Sequence, residues 1–251
     1  GAQWLLAAVI AARATSFLFS TMLLATMGPF SLMGLRFLAA FAVLAALFAP
    51  RLLRAGRAEL LGGLAAGLCF FGTMAFELNA LTMAPSSTVS FLENLAIVLV
   101  PLATAVAALR LPAPRIMAAS AAALAGVGLL TVGQGGLAAF GPGELLALGG
   151  AACYAAAIMV TARVTRHGDA LVVGIVQVGV MGVLGAAATL AFEQPALPAT
   201  EGQWLALAAL VAVCTGFGFT LQPVAQQRLT ADRAALFCAI TPLTAGTLGI
   251  A

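Results

Sequence analysis

The chain has no lysine, one histidine (His167), one tyrosine (Tyr154) and only 8% charged residues over 251 positions. A soluble domain carries roughly 25% charged residues, so a chain this poor in charge cannot cover a water-facing surface of its size. With one histidine, set in an arginine-bearing break, a histidine metal site and a Ser–His catalytic triad are excluded. The four cysteines, Cys69, Cys153, Cys214 and Cys238, fall in four different apolar runs with no CxxC pair. That removes zinc and dithiol motifs and leaves them as small packing residues. The net charge of +3 and pI near 9.0 rest on charges too sparse and scattered to track a phosphate backbone. No nucleic-acid partner and no cofactor are expected. The abundance of alanine and the absence of lysine fit a GC-rich bacterial source.

Apolar residues fill the space left by these absences. The chain is 63% hydrophobic with a mean hydropathy of +1.13. Its apolar runs recur from the first few residues to the end, which excludes a single signal peptide. About 20 apolar residues span a bilayer as a helix. Nine segments reach that length: residues 2–25, 29–50, 58–82, 86–109, 115–133, 143–163, 169–191, 203–224 and 232–251. Pro29, Pro85 and Pro114 open or precede runs, as suits a first helical turn. Most breaks are short, so neighbouring helices should be antiparallel. The longer, glycine-rich break from Val132 to Gly143 lies near the middle of the chain.

Nine of the 11 basic residues, all arginines, sit in the breaks, and they alternate. Arg51, Arg54 and Arg57 follow span two, Arg110 and Arg115 flank the break after span four, Arg163 and Arg166 follow span six, and Arg228 and Arg233 follow span eight. The intervening breaks have no basic residue, and the one after span seven carries Glu193 and Glu201. Basic loops stay cytoplasmic. The N-terminus is therefore expected inside, in the inner membrane of a bacterium, with the lipid bilayer as the first partner. Nine spans with an inside start leave the last one ending outside with no polar cap, which points to a missing tenth helix.

The halves resemble each other. Residues 1–135 form one candidate repeat of five spans and residues 142–251 a second of four. Pro101 and Pro242 each stand inside an apolar helix, where proline removes a backbone hydrogen bond and kinks the chain. Arg36 in span two corresponds to Gln177 in span seven, and Glu77 in span three to Gln222 in span eight. Five spans per repeat give the halves opposite membrane orientation, a pattern found in transporters with the substrate site at the repeat interface.

The chain resembles the drug/metabolite transporter superfamily, specifically its EamA-type ten-helix exporters. The residues that carry the likeness are Met27-Gly28-Pro29-Phe30 through Leu35-Arg36-Phe37, then Val100-Pro101-Leu102, then Gln227-Arg228-Leu229-Thr230-Ala231 through Thr241-Pro242. Thr241 stands where many relatives have glutamate, and the family's last helix is absent. The resemblance implies an all-α polytopic bundle of two inverted five-helix repeats, with about nine helices present, and a secondary transporter that exports a small amino acid-like metabolite or a drug-like compound by alternating access.

An ionisable group inside a membrane costs a few kcal/mol and rarely faces lipid. Arg13, Arg36, Glu77 and Glu93 all fall within spans. At 1.5 Å per residue, Arg36 and Glu93 lie about 10 Å below the outer surface, with Glu77 near the outer end of span three and Arg13 near mid-span. Lining a polar substrate cavity is one role for them. Glu93 and Asn94 would then contact substrate, Glu77 would titrate and Arg13 would attract an anionic group. Internal salt bridging is the other role, and it suits Arg36 best, as a structural charge partner for an acid. Tyr154, Gln177 and Gln222 complete the candidate substrate-binding set, with Asn79 a lesser candidate beside them. Trp4 and Trp204, at span starts, read as interfacial anchors. Gly63, Gly67, Gly174, Gly179, Gly182 and Gly185 allow close helix contact, within the bundle first, with a homodimer left open. An intramembrane enzyme lacks its catalytic cluster here and a channel lacks its repeated filter. A small-molecule transporter, not an enzyme, remains.

Overall fold

The structure, a computed structural model, describes residues 5, 6, 8, 9, 12, 13, 15–107, 109, 114, 117, 118, 121, 122, 125 and 141–227. All regular structure among them is helical. The elements are α1 (Ser16–Leu24), α2 (Pro29–Leu47), α3 (Arg57–Leu81), α4 (Ser86–Glu93), α5 (Ala96–Ala107), α6 (Pro142–Val164), α7 (Ala170–Phe192), α8 (Glu201–Ala209), a π-helical stretch (Leu210–Phe219) and α9 (Thr220–Gln226). Six stretches among the described residues are long and apolar enough to cross a membrane: Pro29–Leu47, Arg57–Leu81, Ser86–Val106, Pro142–Val164, Ala170–Phe192 and Glu201–Gln226. They coincide with expected spans two, three, four, six, seven and eight, to within a few residues. Span five, apart from isolated positions, and span nine with Pro242 lie outside the described residues. So does the ten-helix count.

Two spans are not the single helices expected. Span four is interrupted between α4 and α5 by a turn at Asn94–Leu95, where Asn94 N–H bonds back to Ser90 and Leu95 N–H to Leu92. Pro101 lies within α5, beyond that turn. Span eight passes from α-helix to π-helix at Leu210 and back at Thr220. Pro223 has no N–H to offer the Phe219 carbonyl four residues back. That carbonyl instead takes the Gln177 side-chain amide at 3.5 Å.

The helices pack through glycine. α7 lies along α2 and α3, and α3 also lies along α6. A Cβ on Gly34 would stand 2.8 Å from the Ala186 backbone nitrogen, and one on Gly185 would stand 2.8 Å from that of Gly34. Backbone meets backbone there, which only glycine allows. Replacing Gly185 with leucine is expected to cost about 3 kcal/mol through overpacking; a melting curve in detergent that matches the parent would refute the contact. On the outside of the bundle Leu47, Leu61, Val183 and Leu190 are exposed, as lipid-facing side chains should be. Trp204, in the first turns of α8, is also exposed.

Two carboxylates tie α7 at its two ends. Near its start, Glu59 of α3 accepts from the backbone N–H of Asp169 at 2.8 Å and of Gly56 at 2.6 Å. Just past its end, Glu193 accepts from the N–H groups of Phe30 (3.1 Å) and Ser31 (2.9 Å), which open α2. The free N–H groups of a helix start favour an anion. Each carboxylate lies against a glycine, Gly168 or Gly28, whose missing Cβ leaves room for it. Glu193→Gln keeps the shape but removes the charge. It is expected to lower stability by about 1 kcal/mol, read from the melting temperature.

Candidate functional site

The candidate residues do not behave alike. Glu77 sits one turn before the end of α3, and Glu93 closes α4 where span four breaks. Arg13 lies three residues before Ser16, the first residue of α1, and Phe17 follows it. Tyr154 stands mid-helix in α6. These elements converge so that Arg13, Ser16, Phe17, Glu77, Glu93, Asn94 and Tyr154 line one cavity of about 20 Å³. That is room for about one water molecule. The Glu77 and Glu93 carboxyls come within hydrogen-bonding reach of each other.

Arg13 is held on several sides. One Nη donates to the Tyr154 hydroxyl at 3.0 Å and to Gln222 Oε1 at 2.6 Å. Its guanidinium carbon lies 4.1 Å from the Phe219 ring centre, 4.9 Å from Tyr154 and 5.5 Å from Phe70. Desolvated cation–π contacts of this kind are worth about 2 kcal/mol. The rings support each other, with Phe219 edge-on to Phe70 at 5.5 Å and to Phe37 at 5.2 Å. Gly218 leaves room for the arginine stem: a Cβ there would be 2.8 Å from Arg13 Cγ.

Arg36 departs from expectation. It is fully enclosed, yet its Nε donates to the Thr215 hydroxyl at 2.6 Å and not to an acid. Its guanidinium stacks near Phe37 (5.0 Å) and Phe219 (5.7 Å). Neither Nη has a hydrogen-bond partner, and Arg36 makes no ion pair within 4.0 Å among the described residues. Glu77 acts on it only through space. The π-helical stretch explains the difference, because it carries both Thr215 and Phe219 toward the two arginines. A buried charge without an ionic partner carries a desolvation cost that nothing offsets fully, and an apolar side chain of similar length does not carry it. Arg36→Met is therefore expected to leave the melting temperature unchanged or raise it. A clear drop would mean that Arg36 has a partner of consequence.

Gln222 joins the cavity residues through Arg13. Gln177 does not line the cavity; it sits behind Phe219 and bonds that residue's carbonyl. Asn79 bonds the Ala75 carbonyl one turn back, at 2.7 Å, and stays within its own helix. Ser16, Phe17, Phe70, Thr215 and Phe219 are additions to the expected set. The spacing of Ser16 and Phe17 from Arg13 could have revealed the first two. The phenylalanines carry no signal in a chain with 15 of them.

Comparison with known proteins agrees with this architecture. Residues 141–251 match the EamA-like transporter family. A solved structure described as the crystal structure of a protein is similar to this chain with a TM-score of 0.71 and 25% sequence identity, over 99% of this chain and 87% of its own. No curated protein matches. The second half of the chain is thus similar to the EamA-like transporter family, and the chain as a whole, with six helices among the described residues long and apolar enough to cross a bilayer, is a multi-pass membrane protein.

Proposed function

We propose that the protein is a secondary transporter of the bacterial inner membrane, with a cytoplasmic N-terminus, that exports a small amino acid-like or drug-like molecule by alternating access. The observation that carries this is the convergence of Arg13, Glu77, Glu93, Asn94 and Tyr154 on one cavity inside an apolar bundle. Ionisable groups are kept at such depth where they serve a pathway or a ligand. Glu93 and Asn94 stand where span four is broken, and broken helices form substrate sites near the midplane of inverted-repeat transporters. At about 20 Å³ the cavity holds no metabolite, so the conformation is closed around its site and loading requires helices to separate.

The placement of two carboxylates supports the same reading and fits two inverted repeats. Glu59 follows span two and holds the start of span seven; Glu193 follows span seven and holds the start of span two. Exchanging the halves exchanges the two carboxylates, and they lie at opposite ends of α7. Its 23 residues run about 35 Å at 1.5 Å each, enough to put the two ties on opposite membrane faces.

The test is flux in proteoliposomes loaded with a panel of amino acids, amines and drug-like compounds. Saturable transport of at least one compound, reduced about tenfold or more by Glu93→Gln through loss of a charge-assisted contact, is the expected result. Unchanged rate and unchanged substrate preference in Glu93→Gln would remove Glu93 from the site.

A further inference from the structure

α2 has one face that is locked and one that is held weakly. Toward α7 it meets backbone: a Cβ on Gly185 would stand 2.8 Å from the Gly34 nitrogen, and one on Gly182 would stand 2.8 Å from that of Leu38. Its other face carries Arg36 against the π-helical stretch of span eight. There Nε reaches the Thr215 hydroxyl at 2.6 Å, and the guanidinium lies near the Phe37 and Phe219 rings. Nη1 and Nη2 reach no acceptor, although the side chain is only 1% exposed. Buried donors of this kind are rare and costly, and the charge adds to the cost. Any movement that lets water reach the guanidinium removes it.

Span eight is held differently at its two ends. Toward the Glu59 end of the bundle it is keyed into α7, where a Cβ on Gly174 would collide with the Thr220 carbonyl oxygen. Toward the Glu193 end Gln203 donates to the Met22 carbonyl of α1 at 3.3 Å. The π-helical stretch lies between these two points, and such departures from α-helix are frequent at functional sites.

We propose that Arg36 acts as a spring against the closed conformation, favouring a form in which α1 and the Glu193-side half of span eight part from α2 and α7. The proposal rests on the alternating-access reading and names the interface that opens. Arg36 lies seven residues into α2, about 10 Å from its start at 1.5 Å each, so the gap faces the Glu193 side. It leads past Phe219 to Arg13, which lies 4.1 Å from that ring and lines the cavity. Thr215 is the catch, because its hydroxyl accepts from Arg36 in the closed form.

The test is the rate at which an impermeant thiol reagent labels Ser16→Cys, in a chain with Cys69, Cys153, Cys214 and Cys238 replaced, from each side of oriented vesicles. Arg36→Met should slow labelling from the Glu193 side about tenfold, the worth of a buried donor without a partner. It should not slow labelling from the other side or lower the melting temperature. Thr215→Val, which takes the hydroxyl acceptor away from Arg36, should speed labelling from the Glu193 side severalfold. A merely structural role for the pair would loosen both variants alike. Unchanged or faster Glu193-side labelling in Arg36→Met, equal slowing from both sides, a lowered melting temperature, or slower labelling in Thr215→Val overturns the proposal. If the flux panel shows saturable transport while Arg36→Met leaves labelling unmoved, the spring falls and the transport reading stands. If labelling shifts as expected and the parent transports nothing on the panel, the transport reading falls and the opening interface stands.

Discussion

Replacing Arg13 with methionine is expected to abolish transport and to destabilise the bundle by about 3–5 kcal/mol, the usual cost of removing one partner from a buried charge network. The size follows from what Arg13 joins. It comes from the first span, donates to α6 at Tyr154 and to α9 at Gln222, and lies against rings from α3 and the π-helical stretch. Without it, the Glu77 and Glu93 carboxyls share a cavity with no cation among its described lining residues. Arg13→Lys keeps the charge but not the planar fork or its stacking, so it should recover stability better than transport. Melting temperature and flux measured on the same preparations check this. An Arg13→Met protein with parental flux would show that the cavity is not on the substrate's path.

Phe219→Ala should come second in effect, costing about 3–5 kcal/mol as a buried aromatic truncation. Phe219 is fully enclosed and touches both arginines and both neighbouring rings. Truncating it leaves Arg13 with two rings out of three and opens space beside Arg36. Phe219→Leu fills most of that volume without the ring face. Its stability should lie between alanine and the parent, while substrate affinity should fall nearly as far as in alanine. If leucine restores affinity as well as stability, the ring serves only as filling.

Helix identity and the polar core were legible in the sequence to different depths. Six of the expected spans are visible as helices long enough to cross because 20-residue apolar runs leave few alternatives. The interruptions in two of them were not foreseen. The turn at Asn94–Leu95 has no glycine, and Pro101, the expected kink, lies six residues beyond it. The π-helical stretch between Leu210 and Phe219 carries the contacts to Arg13 and Arg36, and a single span read alone does not reveal them. Arg13, Glu77, Glu93, Asn94 and Tyr154 could be picked out because charged, asparagine and tyrosine side chains are scarce inside apolar runs, and the structure brings those five together. The same scarcity misled for Gln177, which caps a carbonyl, and for Arg36, which pairs with a hydroxyl and not with an acid. Depth along a helix can be counted from sequence; the direction a side chain faces cannot be counted in the same way when the hydrophobic pattern is nearly uniform around the helix.

The central claim is that one cavity is open to each side of the membrane in turn. It is tested most directly by accessibility of a single cysteine at Ser16, which lines that cavity, in a variant with Cys69, Cys153, Cys214 and Cys238 replaced that still transports. A membrane-impermeant thiol reagent is applied to oriented vesicles from one side and then the other. The account predicts labelling from both sides, slowed by a transported substrate, with Glu59→Gln and Glu193→Gln shifting the balance in opposite directions. Labelling from one side only, unaffected by substrate, would contradict it.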